Sequence, residues 1–464
     1  TGDGNDIAQI GTLCEKYNLY FILDASQTAG TIEIDMEQNH ISAICFTGHK
    51  GLFGPQGTGG IALADGVCVK PLLSGGSGVH SFERKHPMEL PAALEAGTLN
   101  GHGIAGLHAA LDWIKKTGIA AIHEKEMALA EQFQRGIETI PGIHLYGGEK
   151  RVAAIVSCNL ADLDSAYVSD CLAENYGIAT RAGAHCAPQI HTHFGTEKQG
   201  MVRFSFSCFN TTEEVEKAVR AMQDIAAENR GKVTAYVGAG GKTSSIRKRA
   251  ETLRAEGKRV LILTTTKMMV PQEQEIFTAY EQTGQESVIS ATASVWQERR
   301  AAEKQLKERV QSVLDTYGCC VAGSLIPGTE KFGMLPEKLM EDLLYLADEI
   351  LIEADGSAHM PVKAPAEHEP VLFPYMDEVV IVMGAHAIGK PLREVCHRVD
   401  YAKELLKCDA DKIVTAADLK TLAEQGYAIP IQKQYPWMKI SKVTGKDIKL
   451  CLTAEKKDKV RDKQ

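Results

Sequence analysis

The sequence predicts an α/β chain of more than one domain, and two observations carry that. Short apolar runs (LYFILDA, ISAICFTG, GGIALAD) alternate with amphipathic stretches, and the alternation restarts at VTAYVGAGGKTSS behind a short polar join, Glu228–Lys232. In each half an apolar run also empties into a glycine-rich turn, TGHKGLFGPQGTGG or GAGGKTS. There the backbone can take positive φ and approach a bound group closely. A chain of 464 residues has room for about three domains of ordinary size.

In chain order, DIAQIGTLCEKYN reads as an amphipathic helix with Ile7, Ile10, Leu13 and Cys14 on one face. Three strands follow, then a loop, LLSGGSGVHS. A turn from Gly97 to Gly103 opens a helix, and IAAIHEKEMALAEQFQRGIETI is a long amphipathic helix joining two subdomains. IHLYG, AAIVSCNLA and MVRFSFSCF are strand-like; YVSDCLAENYG and TEEVEKAVRAMQDIAAE are helical, the last capped by Thr211 or Thr212. In the second half, DEILIE is a buried strand, VVIVMGA another, and the adjacent pair Cys319–Cys320 reads as buried strand residues.

Composition bounds the function. Apolar content of 44% and charged content of 24% belong to a soluble globular protein. A net charge of −9 argues against general nucleic-acid binding, and the basic tail from Lys456 to Lys463 reads as a solvated end. Twelve cysteines without a C-x-x-C pair, and no signal peptide, point to a reducing, cytoplasmic setting. No apolar run approaches membrane-spanning length.

The chemistry begins at Lys50, placed after the run Ile41–Phe46 and before the glycine turn, and at Asp24, which ends the strand YFILD with Gln27 three residues on. A lysine and a carboxylate at the ends of neighbouring strands fit pyridoxal 5'-phosphate. The amine carries the aldehyde as a Schiff base and the acid keeps the pyridinium protonated. A second signal is RAGAHCAPQIHTH, where Cys186 lies beside His185 and near Arg181, a setting that lowers a thiol pKa. His191 and His193 lack a further ligand set and are weak evidence for a metal.

DASQ, TGHKGLFGPQG, LEAGTLN, RAGAHCAP and VRFSFSCFNTTEEV, in this order, resemble the class V aminotransferase fold, more narrowly the cysteine desulfurase/selenocysteine lyase family. The resemblance covers residues 1–228. It implies a type I PLP-dependent transferase fold: an incomplete large domain over 1–105 and a small α+β domain over 106–228. By resemblance Lys50 carries the cofactor, Asp24 pairs with the ring nitrogen, Gln27 bonds the phenolic oxygen, and Thr47 and His49 bind the phosphate. Thr98 reaches the phosphate of the partner subunit's site in a homodimer. Arg203, helped by Arg181, holds the carboxylate of L-cysteine or L-selenocysteine, and thiolate Cys186 takes the sulfur or selenium, releasing alanine. The family's upstream part supplies a glycine/threonine phosphate loop and a histidine stacked on the ring. Both are expected ahead of Thr1, on a separately encoded or missing N-terminal piece, and helices covering the sheet would go with them. Two other readings stay open: an inactive remnant beside a working second half, and a PLP transaminase or lyase that never uses Cys186.

The second half offers a phosphate-binding loop. Backbone N–H groups from Gly238, Gly240, Gly241, Lys242, Thr243 and Ser244 can wrap an anion, with the Lys242 charge and the Thr243 hydroxyl toward magnesium. Tyr236 stands where a Walker-type loop has its first glycine. Glu353 or Asp355, at a strand end, is the expected magnesium carboxylate, and Lys363, His368 and Glu369 are placed in a loop of a substrate site. VGAGGKTS, TTTK, EADGS, KAPAEHEP and HRVD (with His397 and Arg398) together resemble the YqeC-like accessory proteins over residues 232–450 of a 232–464 domain. That resemblance implies a P-loop NTPase-like α/β fold, ATP or GTP with Mg, and a role in maturing selenium-dependent molybdenum hydroxylases.

Overall fold

In the computed structural model, which describes residues 1–80, 82–147, 150–280 and 293–445, the chain divides into two compact units, Thr1–Ile225 and Ala226–Gln464. The basic tail lies outside the described residues.

The first unit opens with helix α1 (Ile7–Lys16), capped by Asp6, whose carboxylate accepts from the Gln9 N–H. The helix forms, but its apolar stripe is not covered: Ile10 and Leu13 stay exposed and Gly11 alone is buried. The reason is local. A Cβ on Gly11 would lie 1.9 Å from the Asn39 carbonyl oxygen, so the helix seats its glycine, not its aliphatic face, against the chain. Strands β1 (Ile22–Asp24), β2 (Ala43–Thr47) and β3 (Gly59–Leu63) form a three-stranded sheet, β1 parallel to β2 and β3 antiparallel to it. Helices α2 (Gly101–Thr117) and α3 (Ile119–Ile137) follow. α2 starts at Asn100, whose side chain accepts from the Gly103 N–H.

A second antiparallel sheet joins β4 (Ile143–Tyr146), β5 (Ile155–Leu160) and β6 (Val202–Ser205). α3 presses on it through Leu129, Phe133 and Ile137, all buried at this helical spacing, with the Phe133 and Phe204 rings 4.3 Å apart, while Ile122 packs with Leu52 and Ile114. Helices α4 (Ser165–Tyr176), α5 (Pro188–Phe194) and α6 (Thr212–Asn229) complete it. Thr211, not Thr212, caps α6: its hydroxyl accepts from the Glu214 N–H while the Glu214 carboxylate accepts from the Thr211 N–H.

The second unit is built on a nine-stranded sheet. Its strands are β7 (Lys232–Gly238), β8 (Val260–Thr264), β9 (Lys267–Met269), β10 (Phe277–Tyr280), β11 (Cys319–Leu325), β12 (Lys331–Gly333), β13 (Glu349–Glu353), β15 (Glu378–Gly384) and β17 (Lys439–Gly445). A separate pair, β14 (Val362–Lys363) and β16 (Cys396–His397), lies beside it. The order is β17-β15-β7-β13-β8-β11-β12-β9, with β10 on the other side of β11. Strands β17 to β11 and β10 run parallel; β12 is antiparallel to β11, and β9 is antiparallel to β12. β13 therefore inserts between β7 and β8, which brings Glu353 to the same sheet edge as the glycine turn after β7. The central strands read as continuous apolar runs because both faces are covered. Val233, Leu261, Ile350 and Ile381 face one core and Tyr236, Ile262, Leu351 and Val382 the other. Cys319 and Cys320 are buried in β11, and burial pushes both thiols up, to about 11 and about 12.

Candidate functional site

Asp24 and Lys50 are set by one pair of strands. β1 and β2 run parallel with Asp24 opposite Cys45, so both chains leave the sheet at the same edge and Lys50 lies in the turn just beyond. That turn closes on itself: the Phe53 N–H donates to the Lys50 carbonyl and the Gly54 N–H to the Gly48 carbonyl. Two glycines let the turns after β1 and β2 touch. Gly30 has φ +88°, and a Cβ there would meet the Gly51 carbonyl oxygen at 2.4 Å, while one on Gly51 would meet the Ala29 carbonyl oxygen at 2.7 Å. Any side chain at either position would push the Asp24 turn off the Lys50 turn.

Asp24 is held as an anion. Its Oδ1 accepts from the Ser26 hydroxyl at 2.5 Å and the Ser26 N–H at 2.9 Å. Those two bonds, with the Lys50 charge adding, hold the carboxyl below its usual range. The Thr47 hydroxyl and the His49 Nδ1 are 2.8 Å apart, next to Lys50 in sequence. Gln27, His49 and Lys50 are exposed, as is Thr98 in the turn leading into α2. This donor set fits pyridoxal phosphate: a free amine, a fixed carboxylate at the same sheet edge, and hydroxyl and imidazole groups beside the amine. Ser26 was missed by motif reading, although a serine two residues after an aspartate at a strand end is the pattern of a side chain that closes its own turn.

A second group forms around Cys186. Arg181 pairs with Arg203 of β6 through reciprocal backbone bonds of 3.1 and 2.8 Å. Arg181 then points a guanidinium nitrogen at Cys186 Sγ, 3.9 Å away. His185 Nε2 donates to the Arg181 carbonyl at 2.8 Å, and burial, with Arg203 and His191 nearby, pushes this imidazole down, toward the neutral form. His185 and Cys186 have φ of +53° and +59°, consecutive left-handed residues without a glycine, which present the thiol to solvent. Arg203 is half-buried, and its Nε is buried without a hydrogen-bond partner. An orphaned guanidinium N–H beside an exposed thiol is what a substrate carboxylate would satisfy. No hydrogen bond or ion pair among the described residues joins this group to Lys50. His191 and His193 lie on α5, and His191 is buried with its Nδ1 2.9 Å from the Thr196 hydroxyl. Among the described residues no group of three or more His, Cys, Asp or Glu could hold a metal ion.

In the second unit, β7 passes through Gly238, Gly240 and Gly241 into α7 (Lys242–Ala255). Gly240 has φ +75°, and a Cβ there would sit 2.4 Å from the Pro361 carbonyl oxygen. Gly241 caps the helix with no side chain bonded to its first turn, so the leading N–H groups have no partner within the helix. Lys242 is buried and donates to the Gly238 carbonyl at 2.7 Å; burial pushes its amine down. Thr243 donates its hydroxyl to Glu353 Oε2 at 2.8 Å, and burial raises Glu353. With Ser244 and Glu369 these residues line a cleft of about 1260 Å³. A hydroxyl and one carboxylate in contact fit magnesium, which keeps waters and takes its other ligands from phosphate oxygens.

Asp355 and Lys363 depart from the sequence-based assignment. Asp355 was expected as a possible magnesium ligand, but both its oxygens are committed inside the protein. Oδ1 accepts from Lys363 Nζ, and Oδ2 accepts from the Gly238 N–H at 3.1 Å and the Tyr427 hydroxyl at 2.7 Å. Lys363 was placed in a substrate loop, but it sits in β14 with a fully buried side chain. Its ammonium is shared among Asp355, the Gly356 carbonyl (2.6 Å) and Glu369 (2.8 Å), which also accepts from Arg398 at 3.0 Å. Tyr427 lies in a π-helical turn, Leu422–Ala428. No local pattern near residue 427 pointed to Asp355, because the contact spans 72 residues.

Residues 1–218 match the family Aminotransferase class-V, and residues 234–400 match the family YqeC protein. The chain thus carries a class V aminotransferase domain in its N-terminal half and a YqeC domain behind it. A probable cysteine desulfurase of Methanothermobacter thermautotrophicus is 34% identical over 230 residues, covering 48% of this chain and 58% of that protein. A cysteine desulfurase of Shigella flexneri is 31% identical over 229 residues, 48% of this chain and 55% of the relative. Among solved structures, the apo cysteine desulfurase of Thermococcus onnurineus is 29% identical, with a TM-score of 0.46 over 49% of this chain and 57% of its own. The chain spans a little over half the length of the curated relatives it matches. No helix among the described residues is long and apolar enough to cross a membrane.

Proposed function

We propose that the first unit is a pyridoxal-phosphate-dependent desulfurase-like module that mobilises sulfur from L-cysteine, or selenium from L-selenocysteine, through Cys186. The observation that carries this reading is the Cys186 group: an exposed thiol beside Arg181, next to an Arg203 guanidinium with a buried, unsatisfied N–H. Bound at Lys50, pyridoxal phosphate supplies an electron sink for the substrate's α-carbon. Asp24 contributes a fixed negative charge for the ring nitrogen, and Thr47 and His49 contribute donors for the phosphate. Gln27 would hold the phenolic oxygen, and Thr98 would serve the phosphate in the site of a second subunit. Arg203, with Arg181, orients the substrate carboxylate. Lys50 Nζ, once free, moves the proton at the α-carbon. The Cys186 thiolate attacks the substrate's sulfur; an S–S bond forms on Cys186 as the Cβ–S bond breaks, and the carbon skeleton keeps that electron pair, takes up a proton and leaves as alanine.

The second unit is proposed to bind ATP or GTP with Mg, the phosphates on the turn Gly240–Ser244 and the metal between Thr243 and Glu353; Gly238, expected in the same cradle, instead spends its N–H on Asp355. Support comes from the parallel sheet in which β13 adjoins β7 and from the open N-terminus of α7. Its YqeC character motivates a role in passing sulfur or selenium toward a selenium-dependent molybdenum hydroxylase or its maturation factors. Linkage of the units in one chain raises the effective concentration of one site near the other. The test is alanine and sulfide release from L-cysteine, with intact-mass detection of enzyme-bound persulfide. Cys186→Ser is expected to keep the cofactor's absorbance and lose sulfide. Sulfide from that variant refutes the acceptor role, and alanine from the parent protein without bound persulfide points to a lyase that bypasses Cys186.

A further inference from the structure

The cleft of the second unit holds more positive charge and more room than one nucleotide explains. At about 1260 Å³ it exceeds the roughly 300–1,000 Å³ of pockets that enclose a single small ligand. Part of its lining is the β9–β12 ribbon. There Lys331 stands opposite Met269 and Lys267 opposite Gly333, while Met268 and Phe332 form the alternate pair. Opposite residues share a face and neighbours alternate, so both lysines project from one face while Met268 and Phe332 bury the other.

The ribbon is fixed relative to the glycine turn. The Thr264 hydroxyl donates to the Glu353 carbonyl at 2.9 Å, and the Thr266 N–H donates to the Thr264 hydroxyl at 3.0 Å, immediately before Lys267. Arg247 and Lys248 of α7 line the same cleft. None of these four cations makes an ion pair among the described residues. Among the described residues the only acids lining the cleft are Glu353 and Glu369, and both are already bonded inside the protein, to Thr243 and to Lys363 and Arg398. The cleft therefore carries uncompensated positive charge, from Arg247 and Lys248 on α7 and from Lys267 and Lys331 on the ribbon.

We infer that Lys267 and Lys331 form a second anion subsite, which takes a phosphate-bearing small molecule alongside the nucleotide. The inference rests on the nucleotide reading of the glycine turn and adds the class of its co-ligand. It makes the unit a two-ligand site, with the second anion held across the cleft from the nucleotide phosphates. Both lysines are exposed strand residues, so their removal leaves the core intact.

The test is calorimetric titration of pyrophosphate into the full chain, with and without saturating Mg and a non-hydrolysable ATP analogue. Pyrophosphate is expected to bind in the presence of the analogue. The Lys267→Ala/Lys331→Ala double variant should weaken that event at least about tenfold, since each lost charge-assisted contact is worth a factor of this order. Its affinity for the analogue should stay within about twofold, and its thermal midpoint should be unchanged. Failure of pyrophosphate to bind beside the analogue, or equal loss of both affinities, overturns the inference. If the analogue does not bind at all, the nucleotide reading fails by itself. Pyrophosphate is then titrated alone: a loss in the double variant but not in Lys242→Ala supports the subsite, and an equal loss in both overturns it.

Discussion

Replacing Lys363 with methionine keeps an unbranched side chain one atom shorter and removes its charge. The ammonium sits at 0% exposure among Asp355, Glu369 and the Gly356 carbonyl, and the Asp355 side chain is also at 0%. Without it the Asp355 carboxylate keeps only the Gly238 N–H and the Tyr427 hydroxyl. Stranding a buried carboxylate in this way costs about 3–5 kcal/mol, because its desolvation is no longer offset. At about 1.4 kcal/mol per factor of ten, hydrogen exchange limited by unfolding of the second unit should speed up by roughly two to four orders of magnitude. The assay is exchange mass spectrometry on peptides covering β7 and β13, whose amides exchange only when the sheet opens. Peptides from β4 and β5 of the first unit serve as the internal reference. Pairing Lys363→Met with Asp355→Asn removes the stranded charge and should recover part of the loss, a coupling of about 0.5–3 kcal/mol. Acceleration below about tenfold in Lys363→Met, with no recovery in the double variant, would refute the view that this buried lysine anchors the glycine turn.

Three further outcomes are expected. Ser26→Ala removes the hydroxyl donor and leaves only the backbone N–H bond, so the Asp24 carboxyl should titrate closer to its ordinary 3.8, read from the carboxyl carbon by NMR. Because the native value is depressed, the stabilisation Asp24 provides is present above that ordinary value and is lost as pH falls through the folded one. Glu353 has the opposite sign: its folded pKa lies above the ordinary 4.5, so stability is full below 4.5 and declines as pH rises through the raised value. Glu353→Gln should therefore melt higher than the parent at pH 8, match it near pH 4, and bind Mg-nucleotide more weakly; equal melting at both pH values would contradict this. Gly30→Ala forces a Cβ to 2.4 Å from the Gly51 carbonyl oxygen at φ +88°, at a cost of about 1–3 kcal/mol. It should lower the retention of pyridoxal phosphate on gel filtration, and unchanged retention would separate the Gly30–Gly51 contact from the cofactor site.

What sequence could show follows the range of the interactions involved. The placement of Asp24 and Lys50 was readable because one ends an apolar strand and the other lies in the turn just after one, and parallel pairing of β1 and β2 then brings both to one edge. The glycine turn after β7 was readable for the same reason: strand, glycines and helix are consecutive. Long-range polar contacts were not. Nothing near Asp355 distinguishes an acid that meets magnesium from one consumed by Gly238, Lys363 and Tyr427, since two of those partners lie 117 and 72 residues away. Helix α1 illustrates a different failure. Its apolar spacing was correct, yet its contact with Asn39 runs through Gly11, so periodicity identified the helix but not the buried face.

The two strand-end acids, Asp24 and Glu353, show why position alone does not assign a role. Both terminate a parallel strand beside a glycine turn and both have a lysine within electrostatic reach. Asp24 is exposed and receives two hydrogen bonds from Ser26, so the charged form is favoured. That suits the role proposed for Asp24, a carboxylate that stays negative so that a cationic ring nitrogen could pair with it. Glu353 is buried, and one hydroxyl bond with the Lys242 charge does not offset its desolvation, so the proton is held more tightly. A carboxyl in that state gains most when a cation arrives, because metal binding displaces the proton and repays the desolvation together. The same residue class at the same place in two α/β units is tuned in opposite directions, by a neighbouring serine in one and by burial in the other.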